Sequence, residues 1–390
     1  MQRVAWSSNI RSMLDRRELL IAAGLTACAP RAVTRPRAPT WPPYADTIAI
    51  DAAAALDIVL WDPDEKSPPD YIPRNVAAAH ACGLTAVITT VAPQGQFWLN
   101  DAAFEKTKTD IAACKARIAT FPDDVMLITS AADLDAAHRA HKLGVIMTFQ
   151  GTEPLGEDIE RIPLFHDMGV RVIQLTHNRR NIVGDGATEP GNAGLSKYGH
   201  EVIARLEATK IVVDVAHGSQ RTIAEAIAAA KRPLLISHTG CRALSDLPRC
   251  TPDAELRALA DRGGVAGMIF WPYLRTDTQP MAIDLIHHIE HAIDVAGEDH
   301  VGLGSDTSIM PTDRTPQFEK ENREMVAGMV ADGIFEKGRP ADLYMFIPDL
   351  DVANRYEQLA TMLAARGHGD ARIAKILGGN FARVLREIWG

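Results

Sequence analysis

Short apolar runs alternate with longer amphipathic stretches from about residue 46 to residue 303. The runs are apolar throughout and often β-branched, which predicts strands that are buried on both faces. A further run, Val125–Thr129, is ambiguous. The eight predicted strands are Thr47–Asp51, Leu84–Val91, Gly144–Phe149, Val170–Leu175, Ile211–Val215, Pro233–Ile236, Gly264–Ile269 and His300–Leu303.

Between the strands, apolar residues recur every three or four positions, which predicts helices. These stretches are Asp101–Thr120, Ala131–His141, Gly199–Ala208, Gln220–Ala230, Ala254–Arg262 and Met281–Ala296. Buried strands joined by crossover helices form parallel sheets. Eight such units over roughly 260 residues match an α/β protein of the (β/α)8 TIM-barrel type.

The alternative is an open, doubly wound sheet that binds a dinucleotide. That fold needs a glycine-rich phosphate turn after its first strand, whereas four alanines, Ala52 to Ala55, follow the first strand here. The charge-rich stretch between residues 314 and 350 is expected to cover the barrel mouth or to form an oligomer contact. Extra C-terminal helices are predicted at Gln317–Ala331, Val352–Arg366 and Asp370–Trp389.

The composition is that of a soluble globular protein. The chain has 390 residues, of which 46% are hydrophobic and 23% are charged. Its net charge is −9, and an acidic body without a basic stripe argues against nucleic acid as a partner.

The first residues have the features of an export signal. Arg16-Arg17 precede the short apolar run Leu19–Ala27, and Leu25-Thr26-Ala27-Cys28 resembles a bacterial lipobox. We expect residues 1–27 to be a twin-arginine or lipoprotein-like signal peptide, 28–45 a proline-rich tether and 46–390 the barrel domain. The protein would then be exported, either periplasmic or anchored in the membrane of a bacterium by a lipid on Cys28. The alternative is an unprocessed N-terminus with an incidental cysteine.

Polar residues follow four of the predicted strands, at the end where the active sites of such barrels lie. His177 follows the fourth strand, His217 the fifth, His238 the sixth and Asp306 the eighth. Each residue alone has an ordinary structural explanation, but three histidines after three consecutive strands favour a site. Neighbouring imidazoles can bind one zinc ion, and a carboxylate across the mouth can take a proton from its water.

Two arginines lie in the loop after His238, at Arg242 and Arg249. A guanidinium can hold a substrate carboxylate through two parallel hydrogen bonds. The alternative for each is a solvated loop charge.

Several motifs occur in a consistent order along the chain. The core ones are Gly194–Gly199, Val213–His217, Ile236–His238 and Cys241–Leu244, and the flanking ones are Gln96–Trp98, Gln174–Asn178 with Asn181, Asp299–Asp306 and Ile376–Phe381. Together they resemble the membrane (renal) dipeptidase family, a metallopeptidase branch of the amidohydrolase superfamily. The resemblance covers nearly everything from residue 46 to the C-terminus.

The resemblance implies a (β/α)8 barrel with two zinc ions that hydrolyses dipeptides and related amides. His217 and His238 match metal ligands, Asp306 matches the acid/base, and His177 matches the residue that contacts the scissile carbonyl and its developing oxyanion. Arg249 is the better match for the arginine that binds the substrate carboxylate, and Arg242 is the second candidate.

Three ligand positions depart from the family pattern. The first strand of the family ends in His-x-Asp, where this chain has Ala53 and Ala55, and the bridging glutamate is matched by Gln150. Alanine has no donor atom, and an amide oxygen is a poor substitute for a bridging carboxylate. The nearby Glu153 is expected to be a solvated surface residue.

These departures predict at most one zinc ion. His217 and His238 would hold it, with Gln150 as a weak ligand and Asp306 able to move in as a third ligand. Three functions remain open: an exported dipeptidase-like hydrolase with this reduced site, an inactive descendant that binds a peptide or protein, or a metal-independent enzyme in which Asp306 and His177 form an acid/base pair. The expected partners are a small peptide or amide substrate and a second copy of the chain.

The lipobox predicts that mass spectrometry of protein from the membrane fraction will find a chain that begins at a lipidated Cys28. An unmodified chain that begins at Met1 or Met13 would contradict the lipoprotein assignment.

Overall fold

The computed structural model describes residues 41–56, 71–92 and 101–390. The predicted signal peptide, the tether up to residue 40 with Cys28, and the motif Gln96–Trp98 lie outside the described residues. Residues 41–45 lie against the body, where the indole nitrogen of the buried Trp41 donates to Asp370 at 2.9 Å.

Every strand pairing in the described ranges is parallel, and eight strands close into a barrel in the order β1-β2-β4-β5-β6-β7-β8-β9, with β9 returning to β1. The predicted (β/α)8 barrel is therefore confirmed. The strands are β1 Ile50–Asp51, β2 Ala86–Thr90, β3 Val125–Leu127, β4 Leu143–Gln150, β5 Val170–Gln174, β6 Val212–Asp214, β7 Leu235–Thr239, β8 Val265–Met268 and β9 Val301–Leu303.

The ambiguous run is a short strand outside the ring. Its strand, β3, pairs only with the first residues of β4, while β2 and β5 pair with β4 as its neighbours in the barrel. An extra strand therefore precedes the third strand of the barrel.

Helices separate the strands as predicted. Two helices were not predicted, α1 and α4, although α1 carries Ile72, Val76 and Ala79 at helical spacing. The helices are α1 Tyr71–Cys82, α2 Ala102–Ile118, α3 Ala131–Ala140, α4 Arg161–Asp167, α5 Lys197–Ala208, α6 Gln220–Ala229, α7 Asp253–Asp261, α8 Ala282–Ala296, α9 Pro316–Ala331, α10 Arg355–Ala365, α11 Asp370–Ala374 and α12 Asn380–Trp389.

The single helix predicted over residues 370–389 is broken. A π-helical turn, Lys375–Gly379, separates α11 from α12. The backbone there passes close to the first strand, because a Cβ on Gly378 would lie 2.5 Å from the carbonyl oxygen of Ile48. Periodicity alone does not reveal such a close approach.

The last helix closes the amino-terminal end of the barrel. Alternate strand residues such as Ile88 and Val172 share an apolar cluster with Phe381 and Leu385 of α12, while the residues between them pack against the outer helices. Asn380 donates to the carbonyl oxygen of Val301 at the start of β9. The opposite end, where the strands finish, is left for polar groups.

The described helices include none that is long and apolar enough to cross a membrane. The described cysteines, Cys82, Cys114, Cys241 and Cys250, are buried free thiols.

The close packing of β8 against β7 can be tested by a glycine substitution. A Cβ on Gly267 of β8 would lie 2.1 Å from the carbonyl oxygen of Ser237, so Gly267→Ala is expected to lower the free energy of unfolding by about 1–3 kcal/mol. The control is Gly328→Ala in α9, where a Cβ meets nothing within 4 Å. Urea denaturation should show the control to be more stable by roughly 0.5–1 kcal/mol; equal effects of the two substitutions would contradict the packing.

Candidate functional site

The four residues selected at strand ends meet at the carboxyl end of the barrel. His177, His217 and Asp306 each lie three residues beyond a strand, and His238 lies within β7. Ligand atoms of His217, His238 and Asp306 all fall within 4.8 Å of one another. The ring of His177 stacks on that of His217 with the centroids 4.4 Å apart.

Backbone conformations that are uncommon for side-chain-bearing residues cluster at this site. Asn178, His217 and Asp306 have φ values of +55°, +60° and +58°. Left-handed backbone costs free energy outside glycine and is concentrated at functional sites. Backbone hydrogen bonds hold two of these turns. The amide of Asp306 donates to the carbonyl oxygen of Ala53 just after β1, and the amide of Ala187, in the loop after β5, donates to the carbonyl oxygen of His217.

The hydrogen bonds fix which nitrogen of each central histidine carries its proton. Nδ1 of His217 lies 2.7 Å from Oδ1 of Asn178, an atom that can only accept. Nδ1 of His238 lies 2.8 Å from the hydroxyl of Ser237, whose own proton goes to Asp214 at 2.5 Å. Both Nδ1 atoms therefore donate, and both Nε2 atoms present lone pairs.

Those two lone pairs face each other. Nε2 of His217 and Nε2 of His238 are 2.7 Å apart. A proton between them would make one ring an imidazolium, but burial holds the pKa of both histidines well below the usual value, and the nearby Arg249 lowers it further. Two neutral imidazoles with converging lone pairs are the donor set that suits a divalent cation such as zinc.

A carboxylate behind His238 was missed as a site residue by the sequence analysis. The buried Asp214 ends β6 and accepts from the amides of Ala216 and Ser237 as well as from the Ser237 hydroxyl. Burial raises its pKa, and these hydrogen bonds oppose that rise. An aspartate at the end of a buried strand, directly before a candidate ligand, was the signal available in the sequence.

Asp51, the last residue of β1, is a second buried carboxylate that accepts several hydrogen bonds. It is fully buried and accepts from the amides of Ala53 and Ser305 and from the hydroxyl of Tyr356. Ala53 and Ala55, which match metal-ligand positions of the dipeptidase family, thus lie beside Asp306 on a fixed backbone. Ala53 accepts from the amide of Asp306 at 2.8 Å.

Arg249 is a buried cation beside the histidines. Its side chain lies over the ring of Tyr273, with the guanidinium carbon 5.4 Å from the ring centroid. The residue is only 5% exposed, and neither Nε nor Nη2 has a hydrogen-bond partner in the described part of the chain. Burying an unpaired charge is costly, so the guanidinium is suited to an anion that arrives from outside. Arg242, by contrast, is half-buried and pairs with the exposed Asp246.

The pKa values of the other two groups are shifted in opposite directions. Burial and the charge of Arg249 lower the pKa of His177 to about 4, so this ring is neutral at pH 7. Burial raises the pKa of Asp306 to about 7, with Arg249 opposing the rise and Asp51 adding to it. Oδ2 of Asp306 lies 3.9 Å from Nε2 of His238. A neutral hydrogen-bond donor and a proton-exchanging carboxyl therefore stand on either side of the histidine pair.

Two residues near the predicted bridging position behave differently. Gln150 is the last residue of β4, at the same end of the barrel. The expectation that Glu153 is a solvated surface residue is wrong: Oε2 of Glu153 is buried without a partner among the described residues, and burial raises its pKa to about 7. The short helical turn after β4 folds this side chain inward.

A family model for membrane dipeptidases (peptidase family M19) matches residues 48–321. Dipeptidase tcpJ of Claviceps purpurea is 25% identical over 304 residues, which cover 76% of this chain and 64% of that protein. This chain thus spans less than two-thirds of that relative.

Solved structures share the fold of this chain. An amidohydrolase from Pseudomonas aeruginosa has a TM-score of 0.72 and 26% identity, with 89% of this chain and 98% of that chain covered. A metallopeptidase from Rhodobacter sphaeroides, liganded with a phosphinate mimic of the dipeptide L-Ala-D-Ala, has a TM-score of 0.67 and 18% identity, with 88% and 100% covered. At 18% identity the likeness shows the common fold.

The guanidinium of Arg249 is expected to lower the stability of the fold, because its Nε and Nη2 atoms have no partner among the described residues, while it serves to bind an anion. Arg249→Met should raise the free energy of unfolding by at least about 1 kcal/mol, because it removes a buried charge whose Nε and Nη2 atoms have no acceptor among the described residues. The control is Arg171→Met, which should be destabilising because the Arg171 guanidinium donates to the carbonyl oxygens of Thr129, His166 and Val170. Urea unfolding at pH 7 measures both, and a destabilised Arg249→Met protein would show that the charge is satisfied.

Proposed function

Because the chain belongs to the membrane dipeptidase family, peptidase family M19, we propose that it is an exported dipeptidase-like metallohydrolase that cleaves a dipeptide or a related amide. The observation that carries the proposal is the pair of converging Nε2 lone pairs of His217 and His238 beside the unpaired guanidinium of Arg249. The first is suited to a metal ion and the second to a substrate carboxylate.

A zinc ion would be held by His217 and His238, with Gln150 as a weak further ligand. When bound, it supplies Lewis-acid polarisation of water and of the scissile carbonyl. Asn178 and the Ser237–Asp214 pair hold the two imidazoles in the required tautomer, a role that commonly governs metal affinity. Alanines at positions 53 and 55 supply no donor atoms, which supports one ion rather than two.

The remaining steps belong to side chains of this chain. Arg249 binds the terminal carboxylate of the peptide and sets its orientation. His177, being neutral, donates a hydrogen bond to the carbonyl oxygen as negative charge develops there. Asp306 takes a proton from the attacking water and passes it to the leaving amine, since its carboxylate lies beside the histidine pair, 3.9 Å from Nε2 of His238.

The proposed location rests on the N-terminal sequence alone. Arg16-Arg17, the apolar run and the lipobox ending at Cys28 support export and a lipid anchor, with residues 46–390 as the catalytic domain.

The proposal predicts one zinc ion per chain by elemental analysis and hydrolysis of a mixed dipeptide library that rises when zinc is added. Asn178→Ala should weaken zinc binding about 10–100-fold in calorimetric titrations. Asp306→Asn should lower kcat about 10²–10⁴-fold, whereas Asp313→Asn, an exposed carboxylate in the same loop, should leave kcat unchanged.

Protein that binds no metal and leaves every dipeptide intact after zinc addition would overturn the proposal in favour of a binding protein. Turnover that resists chelators but is abolished by His177→Ala would instead establish metal-independent chemistry.

A further inference from the structure

A cavity of about 210 Å³ adjoins the site and has Asp306 in its wall. Apolar side chains supply most of the lining surface, although six of the eleven lining residues are polar. The apolar members are Trp271, Phe318, Met325, Met345 and Phe346. An apolar cavity of about 150 Å³ already accepts a benzene molecule, so this one has room for an aromatic ring.

The outer wall comes from the segment after the last barrel strand, namely α9 and residues 343–346. Gln279 fastens it to the loop after β8, donating to the carbonyl oxygen of Phe346 at 3.0 Å and accepting from the amide of Tyr344 at 2.7 Å. The buried Arg339 donates to the carbonyl oxygens of Pro272 and Arg275. The wall is therefore held in place before any ligand binds.

Most of that wall lies beyond the part of the chain that matches the family. The family model ends at residue 321, whereas Asn322, Met325, Met345 and Phe346 follow it. Residues beyond the matched part therefore contribute to the shape of the cavity, together with Trp271, Asp306 and Phe318 inside it.

We propose that this cavity binds an aromatic side chain of the dipeptide substrate. This inference rests on the proposed function and names its substrate class: dipeptides with an aromatic residue at one position. Asp306, shared by the cavity and the histidine site, places the side chain next to the bond that is cleaved. Burying an aromatic ring in an apolar pocket favours it over a methyl group by about tenfold or more.

The test measures kcat/KM of the full, zinc-loaded protein for Ala-Ala, Ala-Phe, Phe-Ala, Ala-Tyr and Tyr-Ala. At one of the two positions the aromatic peptides should exceed Ala-Ala by at least about tenfold. Values within about twofold of Ala-Ala at both positions would overturn the proposal.

Met325→Trp fills the cavity and should lower the ratio of aromatic to Ala-Ala kcat/KM by about tenfold or more. The matched control, Ala327→Trp, adds the same side chain to an exposed position of the same helix and should leave the ratio unchanged. An unchanged ratio in Met325→Trp would overturn the assignment of the cavity.

If no peptide is hydrolysed, the proposed function fails while the cavity is still tested. Calorimetric titration with Ala-Tyr and Tyr-Ala against Ala-Ala then gives the answer: tighter binding of an aromatic peptide supports the cavity assignment, and equal affinities overturn it.

Discussion

Two imidazole nitrogens that direct their lone pairs at each other across 2.7 Å impose the main constraint on this molecule. Nothing in the ring chemistry of His217 and His238 favours that approach; their partners on the far side, Asn178 and Ser237, enforce it. Asn178 follows β5 and Ser237 lies within β7, so the barrel strands set the positions of these two partners. The barrel is needed because it brings the ends of β5, β6 and β7 to one place, which no local segment can do.

The two ends of the barrel are arranged in opposite ways. At the amino-terminal end, α12 packs Phe381 and Leu385 against strand residues and bonds to the start of β9. At the other end, Arg249 and Asn322 hold buried polar atoms without partners in the described chain, and three residues adopt left-handed backbone. A well-packed end thus stabilises a protein whose other end is organised for binding.

The sequence was sufficient for the barrel and for the meeting of His177, His217, His238 and Asp306 at one end of it, because strand periodicity locates strand ends and the barrel brings those ends together. It was insufficient where a contact between distant segments decides the outcome. The π-helical turn at Gly378 follows from the nearby backbone of Ile48, and the inward fold of Glu153 from a short turn after β4. Likewise, Arg249 could be recognised as a candidate from its motif, but its burial and lack of acceptors required the fold.

Asp51 makes the backbone at the end of β1 independent of the side chains at positions 53 and 55. Its bonds to Ala53, Ser305 and Tyr356 keep the end of β1 in shape without any help from the side chains at those two positions. The side chains at these two positions can therefore change while the strand stays folded. The frame of the site and the side chains that project from it are thus maintained by different residues, so the side chains at positions 53 and 55 can vary without disturbing the barrel.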